Sequence, residues 1–199
     1  MEPRTIPKGV PAETLDHFST NSLASPTLKD PAFEIHPMSR AITHNGRGHT
    51  LTGGTWNTAD TIAHLLSFYR PSPSPTDPTG SEQHRAEVRR FYTFGGGLNA
   101  HPDLLHGGVI ATILDSTMGN VIGFAVPEAR RSGMFTVQLN VTYEKPVRTP
   151  GTVMVRAWVK TIQDGGRKVW VEGVVEGEGV RHARAEGMWL RAKGKDNKL

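Results

Sequence analysis

The chain has 199 residues, enough for one domain with a sizeable core, but only 36% are hydrophobic, so part of it adds little to that core. Its 23 Lys and Arg against 19 Asp and Glu leave a formal charge of +4, scattered rather than striped, which argues against a nucleic-acid partner and suits a small anionic ligand. With no cysteine, disulfides, thiolate metal sites and a Cys nucleophile are all excluded.

The N-terminal run "MEPRTIPKGVPAETLDHF" sets prolines and acids where a signal peptide needs an apolar stretch. No segment reaches the ~20 apolar residues of a membrane span, so no membrane span is expected and the expected location is cytoplasmic, with mitochondria as the alternative. Residues 1–50 are rich in Pro, Ser, Thr and His and read as an irregular arm lying on something else. "NTADTIAHLLSFYRP" predicts a short helix: Thr58 or Asp60 caps it, Ile62, Leu65, Leu66 and Tyr69 share a face, and Pro71 ends it. The Pro/Ser spacer "PSPSPTDPTG", residues 71–80, marks a boundary. The chain thus divides into an N-terminal extension (1–80), a main domain (81–193) and a polar tail (194–199).

Beyond the spacer "EVRRFYTF" reads as a strand and "GGGLNAHPDLL" as a loop leading into a long apolar helix within His101–Asn120. "GMFTVQLNVTYEKPV" alternates, with Phe135, Val137, Leu139, Val141 and Tyr143 on one face and Thr136 out of step. "GTVMVRAWVKTIQ", "RKVWVEGVVEG" and "VRHARAEGMWLRA" add three strands, joined by "DGG" and "GEG" turns at 164–166 and 177–179. A helix apolar on nearly every side must be wrapped rather than merely covered. The expected fold is therefore α+β: one strand, the helix, and a four-strand antiparallel meander curved around it.

The stretch "HPDLLHGGVIATILDSTMGN" carries the chemistry. Gly107 and Gly108 open the helix and leave its N-terminal N–H donors accessible to an oxygen acquiring negative charge, or else serve only close packing. Asp115 lies among Ile113, Leu114 and Met118, where a carboxylate needs a hydrogen bond, a place on the helix's wet stripe, or a function. Seven residues separate Gly108 from Asp115, about 10 Å along the axis, so one carbonyl cannot touch both within one chain. It could across a two-fold axis that lays the glycines of one copy beside the acid of the other. His106 either donates to that carbonyl or pins the loop.

"HGG" with an Asp nine residues after its His, then "TVQLNVTYEKP" and "DGGRKVWVEG", closely resembles the hot-dog-fold thioesterase superfamily, in particular PaaI-type acyl-CoA thioesterases. The resemblance spans about residues 85–192; the leading segments look most like fungal members. It implies a curved antiparallel sheet around a long central helix, an acyl-CoA substrate, and a homodimer with a tetramer as an alternative. No cofactor beyond the coenzyme A of the substrate, and no metal, is implied. By the resemblance Gly107 and Gly108 form the oxyanion hole, His106 stands beside the thioester carbonyl, Asp115 is base or nucleophile, and Thr136 positions water. Many members place an Asn six residues before the motif's His; here that position is Ala100, with Asn99 adjacent. Arg130, Arg131, Lys145 and Arg148 are candidates for coenzyme A phosphates, against a reading as solvated charge. Two alternatives stand beside hydrolysis: a hot-dog dehydratase pairing His101 with Asp115, and a non-enzymatic acyl-CoA-binding protein.

Overall fold

The computed structural model describes residues 9–36, 40–73, 79–126, 129 and 133–191. Part of the spacer, Arg130, Arg131 and the polar tail lie outside the described residues. Two helices, α1 (Ala12–Thr20) and α2 (Ser25–Lys29), are followed by strands β1 (Glu34–His36), β2 (Ile62–Arg70) and β3 (Glu87–Phe94). A small ladder, β4 (Asn99–His101) with β5 (Leu104–Leu105), leads into α3 (Gly107–Ala125). Strands β6 (Met134–Tyr143), β7 (Gly151–Gln163), β8 (Lys168–Gly177) and β9 (Val180–Arg191) complete the chain. One antiparallel sheet runs β1-β2-β3-β7-β8-β9-β6, with α3 packed on its inner face against β3, β7, β8, β9 and β6. This is the α+β hot-dog fold, a sheet curved around a central helix.

Strict alternation builds β7–β9. Val153, Val155, Ala157 and Val159 of β7 and Val169, Val171 and Val175 of β8 face inward and are buried, while the residues between them point out. Glu178 and Gly179 both hold positive φ in the two-residue turn between β8 and β9, as a type I′ hairpin requires. At Gly173 a β-carbon would stand 2.9 Å from Met118, so its absence lets α3 sit close on β8. By length and composition α3 could cross a membrane, contrary to the expectation that no segment could. Its Val, Ile, Leu, Met and Phe residues raise the mean hydropathy, interrupted by Gly, Thr, Asp, Ser and Asn, and most of these apolar residues are buried inside the fold.

Three expectations are corrected. The helix over 60–70 is the strand β2. Its residues are apolar on both sides because Ile62 and Leu65 join the inner core while Leu66 and Phe68 join a second, outer core, and a doubly buried strand loses its period of two. The meander comprises β7–β9 only, since β6 pairs with β9 at the far edge rather than with β7. The described residues 9–36 are not an irregular arm: α1, α2 and β1 bury Phe18, Ala24, Phe33 and Ile35 on the outer face of β2 and β3. The sheet also runs across the spacer, so β1 and β2 belong to the same sheet as the strands beyond residue 80.

The outer face carries a dense charge cluster. Glu87 is fully buried and pairs with Arg89 at 2.7 Å, Arg156 at 3.0 Å and Arg70 at 3.2 Å. Burial alone would raise its pKa, but hydrogen bonds and charge from Arg156 and then Arg89 prevail and hold the carboxyl below its ordinary value. Such a group stabilises the fold above its unfolded pKa of about 4.3, and that contribution disappears as pH falls through the lower folded value. Glu87→Gln leaves four arginines, Arg85 among them at 3.8 Å, without their shared carboxylate and is expected to cost about 3–5 kcal/mol at pH 7. Urea unfolding of mutant and wild type measures the difference, which should shrink as the pH is lowered below about 4.

Candidate active site

His106 is the N-cap of α3, in extended conformation, and its imidazole Nδ1 accepts from the Gly108 N–H at 2.8 Å. That bond corrects one expectation: of the two glycine donors, Gly108 is already engaged within its own chain. It also sets the tautomer, since an accepting Nδ1 leaves the neutral ring's proton on Nε2. The N–H of Gly107, the first helical residue, has no acceptor within the helix. Tyr143, at the end of β6, donates its hydroxyl to the Gly107 carbonyl at 3.0 Å, and a β-carbon on Gly107 would meet its ring at 3.5 Å. That is ordinary van der Waals contact, so the Tyr143 ring does not by itself require glycine at 107.

Asp115 is half-buried rather than sunk in the core. It lies on the polar stripe of α3 formed with Thr112, Ser116, Gly119 and Asn120, and its Oδ1 accepts from the Thr136 hydroxyl at 2.7 Å. A β-bulge makes that contact possible. The β6–β9 register shifts between Thr136 and Gln138, so Thr136 shares the helix-facing side with Leu139 and Val141, which pack against the core. The single apolar row expected along β6 is accordingly broken: Phe135 is 63% and Val137 54% exposed. Tyr143 is also exposed, and β6, as an edge strand, has an open backbone ladder beside it.

Asp115 and Thr136 open on a cavity of about 450 Å³. Leu51 and Thr52 from the N-terminal segment, Met134, Trp189 and the buried Arg90 also line it. Among the residues expected at the site, Asn99 is committed elsewhere, accepting from the Thr149 hydroxyl at 2.7 Å. His101 is exposed on β4 and is not among the residues lining the cavity. Lys145 and Arg148 are exposed on the segment after β6, which docks on β5 through Leu105–Val147 and Leu104–Arg148 contacts, just before the start of α3. Arg130 and Arg131 fall outside the described residues. Among the described residues no cluster of three or more His, Asp or Glu is placed to hold a metal ion.

Sequence reasoning missed Tyr143 and Arg90. Tyr143 had been absorbed into an apolar row. Arg90 had a readable signal, because it takes the inward position between Val88 and Tyr92 in an alternating strand.

A sheet curved around a helix whose N-terminus and one acid stay accessible defines a hot-dog protein. The sequence model of the thioesterase superfamily matches residues 103–175, so this segment is similar to that superfamily. Verlamelin biosynthesis protein B of Lecanicillium sp is 27% identical over 172 residues, covering 73% of this chain and 74% of the relative. The acyl-coenzyme A thioesterase THEM4 of Mus musculus is 35% identical over 95 residues, covering 47% of this chain and 38% of the relative. The chain thus spans well under half of THEM4. Among solved structures, BH2602 protein from Bacillus halodurans, crystallised with CoA, is 29% identical at a TM-score of 0.45, covering 60% of this chain and 75% of that one.

The cap is the part of this arrangement open to a direct stability test. His106→Ala should cost about 1 kcal/mol in chemical denaturation. His106→Asn, a good N-cap residue, should recover most of that loss.

Proposed function

We propose that the protein is an acyl-CoA thioesterase that works as a homodimer, each site joining Asp115 and Thr136 of one protomer to the helix start of its partner. The observation that carries this reading is the 2.7 Å Thr136–Asp115 hydrogen bond at the wall of an open cavity. It fixes one carboxylate oxygen and leaves the other for water. The THEM4 likeness supports thioester chemistry, and the accessible edge of β6 supports the second copy.

In this mechanism the thioester carbonyl lies against the partner subunit's helix start, where the Gly107 N–H and the His106 Nε2–H donate to its oxygen. Gly108 joins them only if its N–H exchanges His106 Nδ1 for the substrate. Donors already in place before the reaction stabilise the tetrahedral oxyanion, each worth about 2.7–4 kcal/mol in comparable sites. Asp115 takes a proton from water as the oxygen bonds to the carbonyl carbon. The C–S bond then breaks and the thiolate receives a proton, giving a carboxylic acid and free coenzyme A. Water is favoured over direct attack by Asp115 because Thr136, already bonded to the carboxylate, can also hold a water on its lone pairs.

Lys145 and Arg148, on the segment that docks beside the helix start, are offered for the coenzyme A phosphates. The dehydratase reading loses ground, since Asp115 has Thr136 as partner while His101 stands apart on β4.

A free-thiol release assay over short-, medium-, long-chain and aromatic acyl-CoAs tests the reaction. Wild type should release thiol; Asp115→Asn should lose about 10²–10⁴-fold in rate. Thr136→Ala should lose about 10–100-fold, the worth of one hydrogen bond to a charged group. Loss of hydroxyl from 3-hydroxyacyl thioesters without thiol would favour the dehydratase, and binding without turnover the acyl-CoA-binding protein. For the dimer, Phe135→Lys combined with Val137→Lys sets like charges on the exposed edge, and sedimentation should report monomers without thiol release. A fully active monomer would overturn the shared site.

A further inference from the structure

The cavity beside Asp115 contains a cation that the proposed hydrolysis does not use. Arg90 is 2% exposed and lines that cavity. Its Nε donates to the Ser67 hydroxyl at 2.7 Å, and its Nη1 to the Ser116 hydroxyl at 2.9 Å and the Tyr92 hydroxyl at 3.4 Å. All three acceptors are neutral, and among the described residues no carboxylate forms an ion pair with Arg90. The contrast within the same sheet is sharp: on the outer face Arg70, Arg85, Arg89 and Arg156 all reach Glu87. A buried guanidinium solvated only by hydroxyls is costly to keep, and Nη2 remains for whatever fills the cavity.

We propose that Arg90 is a specificity residue for acyl groups that carry a carboxylate close to the thioester, so that the preferred substrates are short dicarboxylic monothioesters. The proposal rests on the thioesterase reading and deepens it. The planar fork of an arginine matches a carboxylate in shape and charge, and a desolvated pair strengthens in a closed site. Ser116, which receives Nη1, follows Asp115 in α3, and Arg90, Asp115 and Ser116 line the same cavity of about 450 Å³. A carboxylate on Arg90 and a water on Asp115 would therefore share one small cavity, which favours a short acyl chain. Arg90 also offsets the repulsion that the Asp115 carboxylate exerts on an anionic acyl chain.

The test compares thiol release from succinyl- and glutaryl-CoA with that from butyryl- and valeryl-CoA, each above its enzyme-free rate. The expected result is a kcat/KM at least about tenfold higher for the carboxylate-bearing pair. Arg90→Gln should abolish that preference while hydrolysis of the neutral pair stays within a few-fold, and Arg90→Lys should retain part of it. If Arg90→Gln fails to fold, wild type alone decides: free glutarate should inhibit at least about tenfold more strongly than the neutral glutaramide. Equal turnover of both pairs, equal inhibition, or a uniform loss in Arg90→Gln with a displaced pH profile would overturn the assignment. No thiol release from any of these or the wider acyl-CoA panel would instead sink the thioesterase reading beneath it.

Discussion

A helix as apolar as α3 has no stable place at a surface, and the sheet answers by curving around it. Val109, Ile110, Ile113, Leu114, Met118, Val121 and Ile122 are all buried there. The wrapping is incomplete. Thr112, Asp115, Ser116, Gly119 and Asn120 form a half-buried stripe that the strands cover only in part, and they line the cavity. The position of the acid follows from the packing: it occupies the part of the helix where the sheet stands off far enough to leave that cavity. The helix start is exposed at His106 and Gly108, where β5 and the His106–Leu98 backbone bond bring the chain into α3.

The bulge in β6 converts this packing into a site. Without it, Thr136 and Leu139 would face opposite sides of the sheet, and no hydroxyl would reach Asp115 while Leu139 and Val141 still packed on the core. One extra residue satisfies both demands. It also turns Phe135 and Val137 outward on an edge strand, where both are largely exposed. The contact that orients the acid and the surface that would receive a second copy thus arise from one local irregularity. That linkage gives the proposed dimer a physical basis beyond the separation of glycine and acid along the helix.

Much of this was legible in the sequence, for identifiable reasons. β7, β8 and β9 have one buried face each, so alternation reports them directly, and turns with Gly165, Gly166 and Gly179 at positive φ mark their ends. The helix and the residues flanking it were likewise visible. β2 was not, because a strand sandwiched between two cores has apolar residues at every spacing, including the helical one. Strand order is non-local, so nothing within β6 distinguishes pairing with β9 from pairing with β7. The engagement of Gly108 by His106 depends on a rotamer, and the facing of Thr136 on a register shift; neither leaves a residue pattern to read.

The N-terminal segment then acquires a role that its composition concealed. α1, α2 and β1 close the outer core over Phe68 and Phe91, while Leu51 and Thr52, from the same stretch of chain, line the cavity on the inner side. β2 links the two, placing Phe68 outside and Ser67, the partner of Arg90, inside. Alternation along a single strand thus couples the packing of this segment to the orientation of the buried guanidinium. A sheet of this kind can keep both faces charged because it separates them. Outside, four arginines are neutralised by acids that hold the fold together; inside, one arginine is solvated by hydroxyls alone and stays available to a ligand. Charge that is spent on structure and charge kept in reserve are divided by the thickness of one β-sheet.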